Sequence, residues 1–203
     1  MTASGRQIRR FLCLFALASV LASAATAQQP AAANGNADRR TVPAERIPDD
    51  ERITVDGTLD EPVWKSATPA GNFIQIDPDN GRPATEPTEV RIVFDRDALY
   101  IGVTAFDSDP DGWLGFQRRR DELIGSDDRF MWTIDTFLDG RSGYFFEMNP
   151  SGAMADSIFG VNGDNRQWDG IWDGRVAHTG FGWTLEIEIP FRTVNFNPDS
   201  DTW

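Results

Sequence analysis

Asp107-Ser108-Asp109-Pro110-Asp111-Gly112 sets three carboxylates at alternate positions on a tight turn, the spacing with which hard-cation loops gather oxygen ligands. Two readings are open: a structural calcium on Asp107, Asp109 and Asp111, or a solvated acidic turn, which the residues favour. A helix–loop–helix calcium site is excluded, because its twelfth position is Arg118 rather than glutamate and no helical pattern flanks the loop. Arg118-Arg119-Arg120-Asp121 and Asp127-Asp128 form the only concentrated mixed-charge segment. Arginine forks suit hydroxyl and carboxylate oxygens, so Arg120, Asp121 and Asp128 are candidate ligand clamps. A salt-bridged loop accounts for the same residues equally well.

Seven tryptophans are the most informative class, because the C–H faces of sugars stack on flat aromatic rings. Trp64, Trp132 and Trp183 sit among apolar neighbours and read as core. Trp113, Trp168 and Trp172 lie among Asp and Gly. Trp168 is the best candidate platform for a ligand, although buried loop anchors share its pattern. Glu186 and Glu188 would stand about 7 Å apart on one strand face. That spacing falls in the range of inverting glycosidases, but outward acids on a solvated strand are the simpler account. His178 and Lys65 are the sole histidine and lysine. A multi-histidine metal site is therefore excluded, and any Ser-His-Asp arrangement would have to use His178, which reads as an exposed turn residue. Neither a G-x-S-x-G elbow nor a Walker loop is present. No catalytic residue is predicted.

The elements that must position these residues are short and strand-like. Residues 52–55, 72–76, 89–94, 99–106, 130–138, 144–148, 153–159, 174–178 and 182–189 alternate or run apolar between Gly, Pro, Asp and Asn. The run 99–106 is nearly all apolar, which predicts cover on both faces. In 182–189, Trp183, Leu185, Ile187 and Ile189 are expected inward, with Thr184, Glu186 and Glu188 outward. A single helical turn is predicted over 58–64. The pattern predicts an all-β protein, an antiparallel β-sandwich of jelly-roll type.

The 203 residues carry 19 Lys+Arg against 32 Asp+Glu, a net charge of −13, which becomes −16 without Arg6, Arg9 and Arg10. Such a chain repels phosphate backbones, so nucleic acid is excluded as a partner. Residues 1–10 are basic, 11–22 are apolar, and Ala25-Thr26-Ala27 offers a cleavage site. Twelve apolar residues are too few to span about 30 Å of hydrocarbon as a helix. Residues 1–27 therefore read as an export signal. The expected location is periplasmic, outer-membrane-associated or extracellular. Cys13, the only cysteine, lies within that segment, so the mature chain has no disulfide. Residues 28–50 read as a flexible linker, and 51–203 as the folded module.

From Ile53 an ordered set of motifs carries a resemblance. It opens with Ile53-Thr54-Val55-Asp56-Gly57-Thr58-Leu59-Asp60-Glu61-Pro62-Val63-Trp64. Pro83–Arg91, Ala98-Leu99-Tyr100-Ile101-Gly102, Ile134-Asp135-Thr136 and Asn149-Pro150-Ser151-Gly152 follow, and Gly182-Trp183-Thr184-Leu185-Glu186 closes it. The chain resembles family 9 carbohydrate-binding modules, in the form found at the N-terminus of exported bacterial proteins. The resemblance implies a β-sandwich, glycan binding, bound calcium and frequent attachment to glycoside hydrolases. It also implies a stacking tryptophan where this chain has Gly125, a carboxylate where it has Met131, and an arginine where it has Glu147. A second stacking tryptophan would lie beyond Trp203.

The segment 199–203 reads as the entry to a further strand, so an edge of the sandwich is expected to be incomplete. The expectation is a non-catalytic module that binds a polysaccharide or oligosaccharide in carbohydrate catabolism, with a C-terminal domain of the same chain as a second partner. The alternatives are a scaffold module packing on that domain and the N-terminal part of a glycoside hydrolase.

Overall fold

A computed structural model describes residues 40–203; the predicted signal segment and residues 28–39 lie outside that range. Two sheets are formed. The first has five strands in the order β1-β2-β3-β9-β8 and the second has four in the order β4-β5-β6-β7. The five-stranded sheet contains β1 (Ala44–Arg46), β2 (Thr88–Phe94), β3 (Ala98–Phe106), β8 (Asp173–Thr179) and β9 (Gly182–Pro190). The four-stranded sheet contains β4 (Phe130–Ile134), β5 (Gly143–Met148), β6 (Met154–Gly160) and β7 (Gly163–Asn165). All pairings are antiparallel except β1 with β2. The sheets bury their facing sides in one core, in which Ile101, Val103, Leu185 and Ile187 meet Tyr144, Phe146 and Met148. This is the expected β-sandwich.

The five-stranded sheet is covered on its other side as well. Ile47, Val63, Trp64 and Ala67 pack there with Val93, Ala98 and Tyr100 in a second cluster. The expected double cover of 99–106 is therefore present, supplied by the chain before β2. Gly102 makes room for it, since a Cβ there would lie 2.8 Å from the Trp64 ring and 2.9 Å from Leu59. Gly57, at φ +94°, lies so close to β8 that an added Cβ would be 2.6 Å from the carbonyl carbon of Val176. Both glycines are required by the approach of this segment to the sheet.

Several expectations are corrected. Glu186 and Thr184 are buried rather than outward. Two carboxylates on a solvated strand face are thus reduced to one half-buried acid, Glu188, while Glu186 lies under the N-terminal segment. The folded unit begins before residue 51, because Ala44–Arg46 pairs with Ile92–Phe94 and Ile47 is buried. Residues 52–55 form no strand, and 72–76 contribute only an isolated bridge from Ile74 to Pro83. β4 stops at Ile134 because Asp135 starts a turn, accepting hydrogen bonds from the Asp139 and Gly140 N–H groups. The helical turn α1 runs Pro62–Ser66, later than expected, with proline opening it.

Candidate functional site

Arg120 is gathered into a network on the core-facing side of β6. Its Nη2 donates to Asp156 Oδ2 at 2.8 Å, Asp169 Oδ1 at 3.0 Å and the Gly170 carbonyl at 3.0 Å. The guanidinium lies 5.7 Å from the Trp172 ring centre. Asp156 is fully buried and also accepts from Gly170 N–H and Trp172 Nε1. These bonds satisfy a carboxylate that would otherwise stand charged opposite Phe146 in the core. Arg120 is therefore engaged as a staple between loops. Asp121 sits beside it at φ +62°, and its Nε-facing carboxyl oxygen lies 3.5 Å from Arg120. Desolvation pushes the Asp121 carboxyl above its ordinary pKa, Arg120 opposes this, and Asp156 and Asp169 add to the rise.

Trp168 is half-buried, 5.2 Å from the Tyr144 ring and edge-on to Phe146 at 6.1 Å. It shares the Asp169-Gly170 loop with the partners of Arg120. Asp128 stands elsewhere: its Oδ2 accepts the Leu114 N–H at 2.7 Å and its own N–H returns to the Leu114 carbonyl. The structure thus brings Arg120, Asp121 and the Trp168 loop together and holds Asp128 in a different strut. Next to it, Asp127 accepts from Gln117 N–H and Asn149 Nδ2. Its carboxyl is held below the ordinary range, chiefly by the Gln117 bond. Trp132 and Trp172 lie in the core, as does Trp183. Trp113 stacks on the exposed His178 at 4.5 Å.

For calcium the residues do not fit. Among the described residues no group of three or more acidic, histidine or cysteine side chains is placed to hold a metal ion. Asp107 Oδ1 instead accepts the Asp109 N–H, closing the turn on itself.

The outer face of the four-stranded sheet holds a different set, which the sequence reading noted only as departures from the family pattern. Register places Met131 opposite Glu147 and Thr133 opposite Phe145. Glu147 is 1% exposed. Its Oε2 accepts from Arg129 Nη1 at 2.7 Å. Arg166 Nη2 is 3.6 Å from Oε1, too far for a hydrogen bond, and Oε1 is left without a donor. Phe145 and Phe159 are half-buried on the same face, with Phe159 lying over Gly143. The alternation Gly143, Phe145, Glu147 along β5 was the available signal, since these positions point away from Tyr144, Phe146 and Met148.

No family model matches the sequence, and no curated protein matches it. Solved structures do match by shape. A family 9 carbohydrate-binding module from Caldicellulosiruptor kristjanssonii, in complex with cellotriose, aligns with TM-score 0.50 at 11% identity over 72% of this chain and 66% of that one. The glucose complex of a module of that family from the same organism aligns with TM-score 0.53 at 12% identity over 78% and 72%. The chain has the fold of a family 9 carbohydrate-binding module. A Bacteroides uniformis protein named as a candidate for carbohydrate binding aligns with TM-score 0.53 at 12% identity, over 74% of this chain and 72% of that one. The match to the cellotriose complex spans just under two thirds of that chain's length.

Proposed function

We propose that the module binds a saccharide on the outer face of its four-stranded sheet, as a non-catalytic part of an exported protein that acts in carbohydrate breakdown. One observation carries the reading: the guanidinium groups of Arg129 and Arg166, 28% and 41% exposed, converge on the buried Glu147 carboxylate, on the strand face that also carries Phe145. Glu147 holds Arg129 in place, and the exposed donors of the two guanidinium groups are what a sugar's hydroxyls would meet. Half-exposed rings beside charged hydrogen-bonding groups match the two surfaces of a sugar, its C–H face and its hydroxyl edge. Support also comes from the fold, which is shared with modules solved in complex with glucose and cellotriose. Export rests on the signal pattern of residues 1–27.

The test is calorimetric titration of the full chain with glucose and cellotriose, beside Glu147→Gln and Arg129→Ala. Binding by the wild type and a tenfold or larger loss in both variants, with unchanged circular dichroism, is expected. Absence of binding across a panel of neutral and acidic oligosaccharides would overturn the reading. A second reading, a scaffold module docking on another domain of the chain, draws on Ile74 and Ile76, which are 60% and 86% exposed in one loop. It becomes the better account if no saccharide binds.

A further inference from the structure

Far along the chain from the outer-face residues, one end of the five-stranded sheet carries two hollows of about 290 and 370 Å³, both lined by Arg96 and Asp97. Each falls near the lower end of ligand-pocket sizes, room for one small ring. Arg46, Arg52, Arg96 and Arg192 reach these hollows from four different segments: the end of β1, the loop after it, the β2–β3 turn and the turn after β9. In so acidic a chain that convergence calls for an explanation. Arg46 is paired with Asp49 at 2.6 Å, and Arg52 Nη1 donates to the Asp49 and Glu51 carbonyls.

The remaining groups are different. Asp95 turns inward, accepting from the Asp97 and Ala98 N–H groups and from the Tyr100 hydroxyl. Arg96 is thereby left without a hydrogen-bond or ion-pair partner among the described residues, although it borders both hollows. Arg192 likewise donates no hydrogen bond to the described residues, with Glu188 as its electrostatic neighbour. The second hollow therefore presents free guanidinium donors on Arg96 and Arg192 beside carboxylate acceptors on Asp97 and Glu188. Pro190 and Phe191 supply its apolar wall. Phe191 is braced by Phe196 at 5.8 Å and Trp203 at 6.0 Å, so that wall is held by packing.

We infer that the paired hollows around Arg96 and Asp97 form a second saccharide site, selective for neutral sugars. Four arginines stand against four carboxylates, Asp49, Asp95, Asp97 and Glu188, so the lining is balanced in charge and does not favour an anion. A sugar hydroxyl both donates and accepts, and adjacent hydroxyls meet an arginine fork and a carboxylate together. The apolar wall takes the C–H face of the ring. Arg96 and Asp97, shared by both hollows, would sit between two successive units of a chain. This site is independent of the outer-face reading, since it uses none of the same residues.

Chemical-shift mapping of the full, isotope-labelled chain tests it, with cellotriose, xylotriose and maltotriose as separate probes and sodium sulfate as the anion control. Saturable shifts at the Arg96, Asp97, Phe191 and Arg192 amides with at least one trisaccharide are expected. Arg96→Ala should weaken that saturation tenfold or more while leaving any shifts at Met131 and Glu147 in place. Arg96 has no hydrogen-bond or ion-pair partner among the described residues, so this variant is expected to keep its structure. The inference is overturned if none of the three sugars moves these amides up to its solubility limit. It is also overturned if Arg96→Ala leaves the shifts unchanged, or if sulfate reproduces them and displaces the sugar. Shifts confined to Met131 and Glu147 would sustain the outer-face reading and remove this one; the converse pattern would do the reverse.

Discussion

Glu186 stands on β9 beneath the N-terminal segment and accepts three N–H bonds: from Asp56 at 2.9 Å, Gly57 at 3.1 Å and Trp64 Nε1 at 2.8 Å. Burial raises its pKa, those bonds oppose the rise, and Glu61 adds to it; the carboxyl is pushed from 4.5 to about 7. A folded-state pKa above the unfolded one gives stability that is complete below pH 4.5 and lost as pH climbs through about 7. Urea midpoints measured from pH 4 to 8 should therefore fall across that window. Glu186→Gln should flatten this part of the profile while lowering stability at pH 4 by about 1–3 kcal/mol, because the amide cannot accept all three bonds. Asp127 and Asp139, both held below their ordinary range by backbone N–H bonds, contribute in the opposite sense and only at lower pH.

At the same scale, Trp168 rests on Tyr144 and Phe146. Trp168→Ala should cost roughly 3 kcal/mol in a denaturant titration, the lower end for a large aromatic since one side remains open.

At the scale of elements, the segment from β1 through α1 acts as a latch over the five-stranded sheet. It is attached by side chains more than by strand pairing: Trp64 fills the space over Gly102, its Nε1 donates to Glu186, and Thr184 Oγ1 donates to the Gly57 carbonyl. Gly57 joins these contacts, since its N–H and carbonyl are both used and its φ is positive. Gly57→Ala should destabilise by about 3 kcal/mol or more, from backbone strain together with displacement of the latch from β8. Hydrogen exchange should locate the loss, with amides around Gly57 and Trp64 opening in the variant while β4–β6 stay protected.

At the scale of the whole molecule, stability rests on packing between two sheets and on the latch, with no disulfide within the 203 residues, since Cys13 is their single cysteine. The Asp107–Asp111 turn closes through its own backbone and gathers no ion-binding group. Thermal melting should accordingly be the same in excess calcium and in chelator. A calcium-dependent rise in melting temperature would show that the carboxylates move together on binding.

The sequence by itself determined the sandwich. Alternation in 89–94, 144–148 and 182–189 encodes which side chains face a core, and that information is local. It also determined the cover over 99–106, because an unbroken apolar run needs apolar neighbours on both sides. What it could not determine is which outward positions are covered. Glu186 reads as solvated because alternation reports only one face, and the segment that buries it lies 122 residues away at Trp64. The same limit hid the outer-face set. Arg129, Glu147 and Arg166 are spread over three segments and meet only through the registry of β4 with β5 and the return of the chain after β7. Arg120 shows the reverse case: its type suggests a free clamp, but the fold brings the buried Asp156 to it from 36 residues away and occupies the fork. Residue type sets what a side chain can do, whereas pairing across distant segments decides whether it is free to do it.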